Sequence, residues 1–351
     1  MRKTLLIALI SLVCPVLAMA QVNKEFSKTQ RTSWTQLTEE RLYTTPAVVQ
    51  AVAKGVAPSY TMGAVVNIGQ YPYVKDKNNK AVIMGYGGRN NINDNGCWNL
   101  CLNESGSLEI TGWGGAAAVL SDEALPLNEY VHLMVAYDAP TMTSTVYVNG
   151  EVYGSKVWDL EQEWFTTEYP ALYFASWMFG GKMDDIQIYN KSLNAEEVKL
   201  AMISPMAVDG LLALYTLDEI AEGTTGQFAD QSGNNASNLI CETVTIANQN
   251  LIWEGGCAYV IDDSPSWANY NGKPYGSCAE SAPTLVESSR VVAPVEVTVT
   301  VADIENGSLV LKNGEEEVAS GATIASGTEL TLEAVPADGY KLVAVTANGE
   351  V

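Results

Sequence analysis

The sequence predicts an all-β protein, an antiparallel sandwich followed by a loop-rich segment and a small C-terminal β domain. Three observations carry that expectation. From Ala47 onward, short runs rich in Val, Ile, Tyr and Thr alternate with Gly, Asn, Asp and Pro clusters at regular spacing, with no long helical period between them. Asn149-Gly150 separates Val146-Tyr147-Val148 from Glu151-Val152-Tyr153, and this dipeptide favours the type I′ hairpin turn, in which both central residues need positive φ. Near the end, Val295, Val297, Val299 and Val301 alternate with polar residues in the period of a half-buried strand.

Taken in order, residues 1–20 read as an export signal. Arg2 and Lys3 precede the apolar run Leu5–Val13, and Ala18-Met19-Ala20 supplies small residues before a cut at Gln21. The run is too short to span a bilayer, which needs about 20 apolar residues. Val13 stands where a lipoprotein signal would want a small residue before Cys14. The expected location is therefore exported: cell surface, extracellular or periplasmic. Residues 21–205 hold the sandwich, with 21–45 as a polar, Thr-rich lead-in arm. Strands are expected at Tyr60–Ile68, Ala81–Tyr86, Trp98–Leu102, Leu108–Thr111, Val131–Tyr137, Thr145–Val148, Ala171–Ala175 and Asp185–Tyr189. One short helix follows: Asn194 caps it, Glu197 stands where a capping box wants it, and Ser204-Pro205 stops it. Residues 206–290 form the loop-rich, Cys-containing segment, opening on the apolar run Leu211–Leu217. Residues 291–351 form the last domain, with further strands at Leu309–Leu311 and Leu330–Leu332. The chain stops at Asn348-Gly349-Glu350-Val351, a hairpin-turn pattern, so the sequence reads as part of something longer.

Charge narrows the partners. The chain carries 19 Lys+Arg against 41 Asp+Glu, a net charge of −22. Such an acidic protein repels phosphate backbones, so nucleic acid is not an expected partner. Beyond the signal there are five cysteines, Cys97, Cys101, Cys241, Cys257 and Cys278. Export permits disulfides; Cys97 with Cys101 and Cys257 with Cys278 are candidate pairs, and the odd number leaves at least one thiol over. Zinc is not expected, because Cys97-x-x-x-Cys101 has no second ligand pair and the one histidine, His132, sits in an apolar strand.

Three stretches resemble the laminin-G-like branch of the concanavalin A-like lectin/glucanase superfamily. They are Tyr130–Asp138, where Tyr130 replaces the family's Trp, the Val146–Gly150 hairpin, and Gly180–Val198, the longest and most specific. The resemblance implies an antiparallel jelly-roll sandwich. Residues 211–235 resemble the opening of another such module, which either starts a degenerate second copy or adds a strand to the first. Residues 295–351 resemble a bacterial InlB-type β-repeat, with the pattern strongest over Gly327–Gly349. Such combinations resemble large surface or secreted bacterial proteins.

Glucanases of this fold place carboxylates at alternating positions on one strand, so that acid and nucleophile meet the sugar together. The nearest pattern, Asp159-Leu160-Glu161-Gln162-Glu163, lacks apolar interleaving and reads as a solvated acidic turn. No catalytic residues are assigned. Asp184 and Asp185 are the candidate calcium ligands, since hard cations take oxygen donors, or else cap the turn before the last strand. Ala175–Phe179 departs from the acidic loop that pentraxins carry there. The remaining binding candidates are aromatic, because sugar rings stack on Trp and Tyr faces. Trp113 and Tyr86 are flanked by glycines, and Tyr71, Tyr73, Trp98, Trp158, Trp164 and Trp177 lie in or near loops. The expected function is a non-catalytic carbohydrate-binding or adhesion module of an exported multidomain protein, with a glycan or glycoprotein as partner. The alternatives are a structural spacer, or an accessory part of a glycoside hydrolase.

Overall fold

The computed structural model describes residues 23–30, 38–44, 58–72, 80–88, 98–112, 118–158, 170–246, 276–290, 296–299, 301, 307–325 and 330–341. Two compact units divide the chain, one spanning Val22–Ser289 and the other containing Arg290–Val351. The larger unit begins with β1 (Lys24–Lys28), β2 (Thr38–Thr44), β3 (Tyr60–Ile68), β4 (Lys80–Gly88), β5 (Trp98–Asn103) and β6 (Ser107–Gly112). It continues with β7 (Ala118–Ala124), β8 (Tyr130–Asp138), β9 (Thr143–Val148), β10 (Glu151–Val157), β11 (Pro170–Trp177) and β12 (Gly181–Tyr189). Helix α1 (Ala195–Ile203) follows, then β13 (Leu211–Tyr215), β14 (Gln227–Phe228), β15 (Leu239–Ile246), β16 (Gly276–Glu280) and β17 (Leu285–Glu287).

These strands form two antiparallel sheets. One runs β10-β9-β8-β3-β12-β1-β17, with β13 also paired to β12. The other runs β14-β15-β2-β11-β4-β5-β6-β7, with β16 paired to β15. Alternation turns every second residue inward, and the inward residues meet in one core that includes Phe26, Met62, Val66, Ile83, Leu100, Leu133, Phe174 and Ile186. Fully burying each large apolar side chain contributes about 1.5–3 kcal/mol. The eight-stranded sheet is covered on its outer side too. There Met134, Ala136, Tyr147 and Tyr189 pack with Val198 and Ala201 of α1 in a second apolar cluster.

Local expectations hold where local chemistry decides. Asn149 and Gly150 have φ of 51° and 81°, as a type I′ turn requires, and Val148 pairs with Glu151 across it. Asn194 Oδ1 accepts the backbone N–H groups of Glu196 and Glu197, while Glu197 Oε2 accepts that of Asn194.

Long-range pairing corrects two boundaries. The expected lead-in arm contains β1 and β2, both integral to the sheets. The expected loop-rich segment supplies five strands: β13 pairs with β12, β14 and β16 with β15, β15 with β2, and β17 with β1. The apolar run at Leu211 therefore adds a strand to the first sandwich. Helix stops and Gly/Asn clusters mark where elements end, and carry no information about which distant edge the next strand joins.

Asp230 locks this closing segment. Its carboxylate accepts the N–H groups of Leu214, Ser232 and Ala236 and the Ser232 hydroxyl, at 2.7–3.0 Å. Burial alone would raise its pKa, but these bonds outweigh that and hold it below the ordinary Asp value.

In the second unit, β18 (Glu296–Thr298) pairs with β21 (Thr323–Ala325). Separately, β19 (Gly307–Asn313) lies between β20 (Glu316–Val318) and β22 (Thr331–Pro336), with Leu311 opposite Leu332. The strands expected at Leu309–Leu311 and Leu330–Leu332 correspond to β19 and β22. None of the described residues of this unit is fully buried.

Two predictions follow from the pairing. A fragment ending at residue 205 will lack cooperative thermal unfolding by circular dichroism, whereas residues 22–289 will show it. Asp230→Ala will lower stability by about 2–3 kcal/mol at neutral pH, the worth of hydrogen bonds to a charged group. Because the folded carboxyl titrates below its unfolded value of about 3.9, its contribution is present above that pH and disappears as pH falls through the folded value. Urea unfolding of both proteins at pH 7 and in acid will show the difference between them shrinking.

Candidate functional site

The outer face of the nine-stranded sheet holds an unusual set of side chains. Reading across the strands, one row comprises Ile240, Tyr43, Tyr173, Gly85, Asn99 and Thr111. A neighbouring row holds Glu242 and Arg41 on β15 and β2, and Val82, Cys101 and Glu109 on β4 to β6. This is the side away from the core, where solvent would be expected. Yet Arg41, Tyr43, Asn99, Tyr173 and Glu242 are all buried, Tyr173 to 2% exposure and Asn99 to 3%. Buried polar groups are informative because desolvation costs free energy unless each group is paired.

The charges here are paired. Arg41 Nε and Nη2 both lie against Glu242 Oε1, at 2.7 and 2.6 Å. The Arg41 guanidinium also sits over the Tyr173 ring, 5.0 Å from its centroid. Lys80 Nζ lies 2.5 Å from Glu109 Oε2, and Glu109 Oε1 accepts the Asn103 amide at 2.9 Å. Between Tyr173 and Asn99 the sheet is bare at Gly85, where a Cβ would collide with Asn99 Oδ1 and the Trp98 carbonyl. The glycine thus lets the Asn99 amide lie flat on the sheet.

One end of this sheet gathers connections. Thr44, Leu172, Tyr86, Trp98 and Gly112 form a single cross-strand row. There β2, β4 and β6 end, and β5 and β11 begin. Segments 45–57, 89–97, 113–117 and 159–169 all join at this end, and lie outside the described residues.

The structure sorts the aromatic candidates. Tyr86 and Trp98 face the core, 1% and 2% exposed, and are not binding residues. The reason is parity: Gly85 and Asn99 face outward, so their neighbours face in. Trp98 Nε1–H donates to the Tyr60 hydroxyl at 2.7 Å, and Tyr60 also packs on Tyr137. Trp158 is buried as well; its indole N–H donates to Ser144 Oγ at 2.9 Å, and Lys156 covers its ring. Tyr71 is half-buried, its hydroxyl donating to the Leu125 carbonyl at 2.6 Å. Tyr73, Trp113 and Trp164 lie outside the described residues, as does the side chain of Trp177, whose backbone pairs with Ala81 in β11.

The cysteine pairing also changes. Cys101 is a free, buried thiol 3.7 Å from the Thr111 hydroxyl, so it forms no bridge to Cys97. Burial pushes the Cys101 thiol up to about 12. Cys241 is likewise free and buried. Cys97, Cys257 and the side chain of Cys278 lie outside the described residues.

Asp184 and Asp185 lie within β12, not in the turn before it. Asp184 is buried and its Oδ1 accepts the Asp185 N–H at 2.9 Å. Asp185 has φ of 45°, where the register with β3 shifts between Asp184 and Gln187. The pair shapes a bulge. Among the described residues, no group of three or more His, Cys, Asp or Glu is placed to hold a metal ion. His132 is buried in β8.

Residues 55–199 match the Concanavalin A-like lectin/glucanases superfamily model. No match occurs among curated proteins. Among solved structures, a candidate carbohydrate binding protein of Bacteroides ovatus is similar at 20% identity and a TM-score of 0.42, over 65% of this chain and 61% of that one. The chain therefore spans about three fifths of that protein. The native heptameric SAP-like pentraxin of Limulus polyphemus is similar at 11% identity, TM-score 0.35, over 52% of this chain and 82% of that one. The sialidase CBM40 of Ruminococcus gnavus, bound to α2,3 sialyllactose, is similar at 11% identity, TM-score 0.36, over 51% of this chain and 98% of that one. No described helix is long and apolar enough to cross a membrane.

Trp98→Phe will leave the buried Tyr60 hydroxyl without its donor and cost about 1–3 kcal/mol. Chemical denaturation will register that loss, while any carbohydrate affinity will stay at the wild-type level, because the indole faces the core.

Proposed function

We propose that the Val22–Ser289 unit is a non-catalytic carbohydrate-binding or adhesion module of an exported multidomain protein. One observation carries the reading: residues 55–199 of the sandwich match the Concanavalin A-like lectin/glucanases superfamily model. Trp113 and Trp164, which lie outside the described residues, remain the candidates for stacking on sugar rings.

Carboxylate placement favours binding over hydrolysis. Glu109 and Glu242 lie on the outer face, five strands apart in the sheet order. At about 4.8 Å per strand they are roughly 24 Å apart, whereas glycosidase carboxylates sit about 5–9.5 Å apart. Each is also held in an ion pair. The export-type pattern at 1–20 and the resemblance of residues 295–351 to a β-repeat support a secreted or surface protein, with a glycan or glycoprotein as partner.

Screening the full chain without its first 20 residues on a glycan array will reveal a binder. Trp113→Ala will weaken that interaction about tenfold, equivalent to ~1.4 kcal/mol, with thermal unfolding verifying that the variant is folded. A folded protein that retains no glycan or glycoprotein, or one that hydrolyses a polysaccharide, would sink the proposal.

A further inference from the structure

We infer that Asn313-Gly314, at the tip of the β19–β20 hairpin, is a self-modification site whose conversion from amide to acid loosens β20. The step is an attack of the Gly314 backbone nitrogen on the side-chain carbonyl carbon of Asn313. The Gly314 N–H gives its proton to a base in solvent, a new C–N bond closes a succinimide ring, and the Asn313 amide nitrogen leaves as ammonia. Water then opens the ring at either carbonyl, which leaves aspartate or isoaspartate. Nothing is oxidised or reduced, and water is the one co-reactant. Glycine suits the attack because it has no Cβ to crowd its nitrogen.

Two Asn-Gly pairs have both residues described, and their surroundings differ. Both asparagines are exposed. Asn149 is held: its Oδ1 accepts the His132 N–H and its own N–H donates to the His132 carbonyl, each at 2.8 Å. Gly150 beside it is buried, and a Cβ there would stand 2.8 Å from Lys199 Cγ and 3.0 Å from Met202 Sδ of α1. Ring closure at Asn149 must break the side-chain bond and push against those helix side chains. Asn313 has neither restraint. Gly314 is exposed, with open space around it and φ of 62°. Among the described residues, nothing bonds the Asn313 side chain or the Gly314 N–H. The product then acts on the strand pair. Asn313 lies directly opposite Glu316, and Glu315 and Glu317 flank that partner. A carboxylate at 313 sets like charges face to face, which destabilises a cross-strand pair. The isoaspartyl form also adds a carbon to the main chain of a tight turn. Strand β20 spans only Glu316–Val318 and pairs with β19 alone among the described strands, so little else holds it.

The test ages the chain lacking residues 1–20 in mildly alkaline buffer, which ionises more of the glycine N–H, and maps its peptides by mass spectrometry. In the folded protein Asn313 is expected to convert at least about tenfold faster than Asn149, a barrier difference of about 1.4 kcal/mol, and to yield two isomeric acids. In the urea-unfolded chain the two sites are expected to convert at similar rates, which assigns the contrast to the fold. Equal conversion of both sites in the folded protein would overturn the assignment. So would an Asn313 that stays intact over the period in which the unfolded chain reacts. Hydrogen exchange reads the consequence: the amides of Glu316–Val318 are expected to lose protection several-fold in aged protein relative to fresh, while the variant N313Q, aged alongside, keeps it. Undiminished protection in fully converted protein, or an equal loss in aged N313Q, would overturn the loosening of β20.

Discussion

Strand β12 is the element on which the rest of the sandwich depends. One edge pairs with β3 from Gly181 to Tyr189, and the other is shared by two strands from opposite ends of the unit. Phe26, Ser27 and Lys28 of β1 take the first part of that edge, and Leu211–Tyr215 of β13 take the second. The changeover falls at the Asp184–Gln187 bulge, where Asp185 adopts positive φ. A bulge increases local twist and re-aims the strand, so one continuous strand presents two segments of edge to two different partners. Asp184 and Gln187 beside that point are buried and polar; Asp184 Oδ1 accepts the Asp185 N–H and Gln187 Oε1 accepts the Tyr189 hydroxyl.

The same closure builds the second sheet. Strand β2, from the beginning of the unit, is sandwiched between β11 and β15, and β15 comes from beyond the helix. Loop-closure entropy grows slowly with length, so joining segments some 200 residues apart is thermodynamically tolerable once apolar burial and ladder hydrogen bonds are gained. Kinetically it is demanding, because non-local pairs form only after the intervening chain is organised. The Asp230 turn addresses part of that cost locally, by fixing the angle between β13 and the chain leading to β15 with four hydrogen bonds to one carboxylate.

Much of the sandwich was legible in sequence because it is written in local code. Alternation located β3, β5, β6 and β8 closely and the second half of β12, Asn149-Gly150 specified its turn, and Asn194 with Glu197 specified the helix start. Partnerships were not legible. Arg41 and Glu242 meet across 201 positions, and nothing near either residue announces the other. Facing was misread for the aromatics: Tyr86 among glycines and Trp98 beside a polar loop looked open, but their orientation is set by strand parity, which needs the register. Tyr43 and Arg41 were hidden in a stretch whose Thr and Glu content resembled a polar arm. The signal that would have found them is the alternation Glu39, Arg41, Tyr43 against Leu42, too short to stand out.

The outer face of the nine-stranded sheet gains its character from strands outside the superfamily match. The match covers residues 55–199, which supply Tyr173, Gly85, Asn99 and the Lys80–Glu109 pair. Tyr43 and Arg41 precede it, and Glu242 follows it. A superfamily core alone would therefore present a half-row, ending at the β11 edge with Tyr173 exposed and no guanidinium over its ring. Adding β2 covers that edge and brings an arginine, which on its own would be a desolvated positive charge and an anion site. Adding β15 brings the carboxylate that cancels it. The order of these additions in the sheet, β11 then β2 then β15, is also the order in which charge is introduced and neutralised. The strand that completes the fold is thus the strand that pairs the buried guanidinium, which ties the charge balance of the face to the closure of the sheet.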